Sequence, residues 1–186
     1  MADRRHQRPR RAVGGGRAEK GGDARDEPPD HALGRSRGGW GTKLHLVVDG
    51  HGHPLAATLT AGQAHESRQV EPLLRMVRLG RRRRPARLAG DKGYSYPGVR
   101  AHLRRRGIGA VIPLRSDQLG KRGRPARFDR DAYRRRNAVE RCVGWLKGER
   151  AVGTRHDKLA ASFLAFVKLA MLQRLLRALR GLRDTT

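Results

Sequence analysis

Tyr133, Arg136, Glu140 and Lys147 lie in one Pro-free run, residues 133–147. At ~100° per residue on a helix, the four occupy an arc of roughly 60°. One carboxylate therefore stands in a row of cations beside a phenol. A second acid, Asp91, ends the run Arg87-Leu-Ala-Gly and is followed by Lys92, Gly93 and Tyr94. The carboxyl end of a strand is where α/β sheets place ligand chemistry. Each feature also has a plain reading: a basic amphipathic helix with one Glu for charge balance, and a strand that happens to end in Asp.

The elements that must carry these residues follow from hydrophobic periodicity. Val139, Cys142, Val143 and Leu146 lie beside the polar arc and form a buried stripe. Upstream, residues 1–39 contain one Val and one internal Leu amid Arg, Gly, Pro and Asp. Such a stretch cannot offset its ordering entropy and reads as a disordered basic tail, with one folded domain over residues 40–182. Lys43–Val48 and Leu55–Thr60 make a β-hairpin around Asp49-Gly-His-Gly-His-Pro54. In that setting Asp49 reads as a turn residue rather than a catalytic acid, and His51 and His53 as solvated rather than metal-bound. Val70, Leu73, Leu74 and Val77 predict a helix over Glu66–Leu79. His65 and Glu66 resemble a metal pair, but helix entry through Ser67 or Glu66 is the plainer role. Arg81–Arg84 is a basic loop, residues 96–106 a helix opened by Pro97, and Gly109–Leu114 a strand. Lys121-Arg122-Gly123-Arg124-Pro125 is the core of an AT-hook, whose Arg122 and Arg124 would enter a narrow minor groove; a flexible basic linker is the competing reading. The chain closes with a long helix from Leu159 to Leu182, one face of which carries Leu164, Val167, Met171, Leu175 and Leu179, widened by Leu172 and Leu176. Core packing is its simplest use, although so broad a stripe could also pair chains into a homo-oligomer.

Composition narrows the partner. A formal net charge of +26 over 186 residues, with a pI near 11.8, is too extreme for an ordinary enzyme of small molecules. Nucleic acid is the first explanation, because cations that displace condensed counterions gain affinity without reading sequence. The apolar C-terminal segment is interrupted by Lys168, Gln173, Arg174 and Arg177, so no membrane span is expected, and the Met1 end has no apolar secretion signal. A single cysteine, Cys142, rules out an intramolecular disulfide and fits a cytoplasmic location.

Taken together, the spacings resemble a known family. Tyr133, Arg136, Glu140 and Lys147 match the Y-R-E-K signature of the DDE transposases of bacterial insertion sequences. Asp91, Gly93 and Tyr94 match the strand ending D-x-G-Y that carries their second catalytic Asp. Gly38-Gly-Trp-Gly-Thr-Lys43 and residues 148–159 resemble the group named after insertion sequence five. The resemblance implies an α/β, ribonuclease H-like catalytic core. In it Asp91 and Glu140 are catalytic acids that help hold two Mg²⁺ or Mn²⁺ ions, while Arg136 and Lys147 contact phosphate and Tyr133 stacks or hydrogen-bonds. The implied partner is double-stranded DNA, as transposon terminal repeats and target.

The chain departs from that pattern at one point. The family presents its first Asp in an apolar strand upstream of the Gly-Gly-x-x-Thr-Lys segment, whereas Asp3, Asp23, Asp26 and Asp30 all sit in polar, Gly- and Arg-rich sequence. The expectation is a core that lacks its first strand and first metal carboxylate, incomplete at its N-terminal side, with strand edges left open. Two readings follow: a truncated or frameshifted transposase portion inactive alone, or a noncatalytic basic DNA-binding protein on the same scaffold.

Overall fold

The computed structural model describes residues 29–36, 38–78, 80, 84–119 and 128–183. In chain order the elements are β1 (Gly34–Ser36), β2 (Gly39–Val48), β3 (Pro54–Ala61), α1 (Val70–Met76), β4 (Arg87–Ala89), α2 (Pro97–Arg105), β5 (Gly109–Val111), α3 (Arg130–Arg134), α4 (Asn137–Gly148), α5 (Arg150–Gly153) and α6 (Ala160–Arg183). The strands form two sheets: an antiparallel β1-β2-β3 and a parallel β4-β5 pair.

The hairpin falls where alternation and turn chemistry place it, with Thr42 facing Ala61 and Val47 facing Ala56. At its tip Asp49 accepts the backbone N–H groups of His51 (2.9 Å) and His53 (2.8 Å). Strand order begins earlier than composition suggests. β1 lies inside the stretch read as a tail, because ladder bonds to residues 39–41 require no apolar side chains. It is also tied down from afar. The buried Arg155 donates to the carbonyls of His31 (2.7 Å) and Lys158 (2.7 Å) and to the Thr42 hydroxyl, and that hydroxyl donates to the Ala32 carbonyl at 2.8 Å. Gly62 closes this corner: a Cβ there would sit 2.6 Å from the Gly34 carbonyl oxygen and 2.9 Å from that of Gly41.

The period of two along β3 divides the core. Ala57 faces a cluster made by Cys142 and Leu146 of α4, Val152 of α5, and Phe163, Val167, Ala170 and Met171 of α6. Ala56, its neighbour, faces Leu73 and Val77 beneath α1. A third cluster joins Val70 and Leu74 to Val99, Leu103, Ile108 and Ile112 around the β4-β5 pair. The hairpin is thus covered on one face by α1 and on the other by α4 and α6.

Several sequence expectations need correction. The helix expected over Glu66–Leu79 is a 3-10 turn, Glu66–Gln69, followed by α1, which ends where Val77 becomes extended. The strand before Asp91 is three residues long and only partly buried, with Arg87 exposed. The helix expected over 133–147 is two helices. Backbone bonds tighten from i→i−4 to i→i−3 at Arg136, Ala138 and Val139, at the weak helix former Asn137. In α6, Leu172, Leu176 and Leu179 are exposed rather than packed.

His45, 4 % exposed, bonds the Thr60 hydroxyl through Nε2 at 2.7 Å. Burial, and then the charge of Lys43, pulls its pKa down from 6.5 to about 4. Between those values the native state binds fewer protons than the unfolded chain. The associated stability is complete above the unfolded value and is lost as pH falls through this window. Replacing His45→Gln is expected to remove roughly 2–3 kcal/mol of the pH dependence between pH 7 and the lower limit. Denaturant unfolding at the two ends checks it, and identical slopes in both proteins would contradict it.

Candidate functional site

Arg136 organises the site. It is the residue at the junction of α3 and α4, and its guanidinium donates to Glu140 Oε1 at 2.8 Å while lying 5.4 Å from the centroid of the Tyr133 ring. Tyr133 in turn packs on Phe128, with ring centroids 5.2 Å apart. Burial disfavours the Arg136 charge, but the Glu140 hydrogen bond and charge outweigh it, aided by Tyr133 and Asp91, so its pKa is raised. Arg136 therefore senses both sequence-predicted acids: Glu140 by direct contact and Asp91 through space. The break in the helix has not dispersed the Tyr133–Arg136–Glu140 set, because the tightened turn keeps Arg136 within reach of both neighbours.

Asp91 is delivered by β4 and a two-residue extension. Its Oδ1 caps the 3-10 turn Lys92–Tyr94 by accepting the Gly93 N–H at 2.8 Å. Among the described residues no cation pairs with it. Gly93 matters for closeness rather than for an unusual backbone angle: a Cβ there would lie 2.9 Å from Asp91 Oδ1 and 3.2 Å from Glu66 Oε2. Two carboxylates thus approach the same backbone spot. Tyr94, held beside them, has its pKa pushed up, first by burial and then by the charges of Glu66 and Asp91.

Glu66 is the residue that sequence reasoning set aside. The helix-entry role falls instead to His65, whose Nδ1 accepts from the Ser67 N–H at 3.3 Å and whose Nε2 pairs with the Tyr96 hydroxyl at 2.7 Å. Glu66 turns away to Lys43, Nζ–Oε1 3.5 Å, and to the Asp91 side. The signal was present in the His65–Glu66 pair, but the two residues act separately rather than as joint ligands.

Lys147 is exposed in the last turn of α4, and no ion pair engages it among the described residues. Arg122 and Arg124 lie outside the described residues, as do Asp3, Asp23 and Asp26. Asp49 is committed to its turn. Burial works to raise its pKa, but hydrogen bonds from the His53 backbone and ring and the His51 backbone outweigh it and hold the pKa low. Among the described residues no three His, Cys, Asp or Glu side chains gather closely enough to hold a metal ion. Asp91 and Glu140 supply the oxygen chemistry that Mg²⁺ or Mn²⁺ prefers, but the number of converging donors falls short of a full set. No helix of the described residues is long and apolar enough to cross a membrane.

The comparisons agree with the motif reading. The family described as "Transposase DDE domain" matches residues 17–175. A curated relative, a "Putative transposase for insertion sequence element IS402" from Burkholderia cepacia, is 33% identical over 135 residues, covering 69% of this chain and 60% of the relative. This chain thus spans about 60% of the length of that relative. No solved structure matches significantly.

If Arg136 holds Glu140 as described, a double-mutant cycle with Arg136→Met and Glu140→Gln should give a coupling of roughly 0.5–1 kcal/mol in denaturant unfolding. Additive single effects would contradict the pairing.

Proposed function

The chain belongs to the DDE transposase domain family, and from that premise we propose that it acts in DNA transposition of an insertion sequence, as a portion of a transposase that does not carry out strand transfer by itself. The observation that carries this reading is the arrangement around Arg136, which contacts Glu140 and Tyr133 of the Y-R-E-K spacing and feels the charge of Asp91 from the D-x-G-Y strand.

In this reading Asp91 and Glu140 are the second and third acids of the family's catalytic set. Divalent cations, when bound in this family, supply the charge that stabilises in-line attack on a phosphodiester. With no three metal-ligating side chains gathered together among the described residues, no step is assigned to such ions in this chain. The chain's own side chains do other work. Arg136, through its bond to Glu140, fixes that carboxylate, while Tyr133 supports the guanidinium from its ring face. Lys147, exposed and without an ion pair among the described residues, is a cation free to meet a DNA phosphate, and the net charge of +26 supplies a sequence-independent attraction around it. Arg122 and Arg124 are proposed as further DNA contacts.

The fold supports the reading of an incomplete ribonuclease H-like core. β4 runs parallel to β5 and has no other partner among the described residues, and the β1-β2-β3 sheet is separate from that pair. The edge of β4 away from β5 is thus left unpaired among the described residues, as it would be in that plan without the strand beside it. The same incompleteness favours the second reading, a noncatalytic DNA-binding protein on this scaffold, over an enzyme competent by itself.

Binding to duplex DNA should weaken steeply with salt, and Lys147→Ala should flatten the log–log slope by about one ion. An unchanged slope would mean that Lys147 faces water. In the same preparation, with Mg²⁺ or Mn²⁺ added, no strand transfer is expected. Cleavage that disappears on Asp91→Ala would overturn the claim of inactivity while leaving the assignment of Asp91 intact.

A further inference from the structure

α6 has two apolar faces, and among the described residues only one is packed. Phe163, Val167, Ala170 and Met171 are buried against α4, α5 and β3. On the opposite side Leu169, Leu172, Leu176 and Leu179 are 60%, 52%, 48% and 59% exposed. Their spacing is three, four, three, the alternation of the a and d positions of a heptad. Continued towards the start of the helix, the same frame places Ser162 at a and Ala165 at d, small residues that allow close approach of another helix. The ladder thus runs from 162 to 179, about 26 Å of helix. A face that packs on a sheet spreads over more positions than this narrow seam.

We propose that this outer ladder of α6 is a self-association surface, and that its occupant is the same helix of a second copy of this chain. The flanking residues favour that occupant. In a chain carrying 43 Lys and Arg, most helix faces would set cation against cation on pairing. Here the e and g positions are Ala161, Phe166, Lys168, Gln173, Leu175 and Arg180. Across a parallel pair, g meets the following e of the partner, so Ala161 meets Phe166, Lys168 meets Gln173 and Leu175 meets Arg180. No two cations oppose each other. Arg174 and Arg177, at f and b positions off the seam, pack on the Trp145 ring, 5.2 and 5.8 Å from its centroid, and Arg174 also donates to the Gly52 carbonyl at 3.1 Å. Residues 1–28 of the chain are a poor alternative cover, since Met1 and Val13 are their only large apolar side chains.

The test uses the full chain at about 0.3 M salt, which screens its net charge, with mass measured by sedimentation across a concentration series. The expected mass is twice that of one chain. Leu172→Glu combined with Leu176→Glu, both at exposed positions, should weaken association at least about a hundredfold with unchanged helical circular dichroism. A second measurement does not depend on that variant folding. Leu172→Cys, at a d position, should give a disulfide-linked dimer on mild oxidation, whereas Arg104→Cys on α2 should not; the native Cys142 is buried and does not compete. A monomeric parent chain would overturn the proposal and point to a different cover for the ladder, such as the part of the longer relatives that this chain lacks. A dimer that survives the double substitution, or equal cross-linking at residues 172 and 104, would also overturn it.

Discussion

The contact between the Arg136 guanidinium and the Glu140 carboxylate is the interaction on which the rest of the structure depends for its meaning. It sits at the junction of α3 and α4, where the backbone tightens, and it ties the Glu140 carboxylate to that junction. Behind it, Cys142 and Leu146 anchor α4 in the core shared with α6 and Ala57 of β3. The apolar stripe fixes which way the helix is turned, and that rotation decides where Arg136 and Glu140 point. Burial pushes the Cys142 thiol pKa up, so the single cysteine serves packing rather than reactivity.

Asp91 comes within electrostatic reach of Arg136 by a different route. The parallel β4-β5 pair with α2 between them carries its own core, and Asp91 emerges just past the end of β4. Gly93 allows the Asp91 and Glu66 carboxylates to crowd one point, and Lys43 compensates Glu66 from β2. Lys43 pairs with Glu66, and Arg136 feels the charge of Asp91. The arrangement thus joins residues from four places in the chain: the hairpin, the entry to α1, the end of β4 and the start of α4.

Much of this was legible in the sequence, and the limits have physical causes. The hairpin was readable because Asp49, with its neighbouring glycines, is a local turn whose hydrogen bonds close within five residues. Asp91 and Glu140 stand out in the sequence because their spacing matches a family signature, whereas their common relation to Arg136 is a tertiary fact. β1 was not readable: it has no apolar pattern, and its position depends on Arg155, over one hundred residues away in sequence. Glu66 was passed over for a similar reason, since its closeness to Asp91 arises only when the 3-10 turn before α1 meets the one after β4. Leu172, Leu176 and Leu179 of α6 read most simply as core because periodicity shows that a face is apolar without showing what covers it.

The central proposal is that Asp91 and Glu140 face one shared site. Mn²⁺ titration of the isotopically labelled chain tests it directly, because a paramagnetic ion broadens nearby backbone amides with a steep dependence on distance. The account predicts that the amides around residues 91–93 and those around 139–141 lose intensity together, with a common midpoint, and that Asp91→Asn shifts both sets to higher Mn²⁺. Broadening of one set without the other, or midpoints that move independently when Asp91 is replaced, would contradict it.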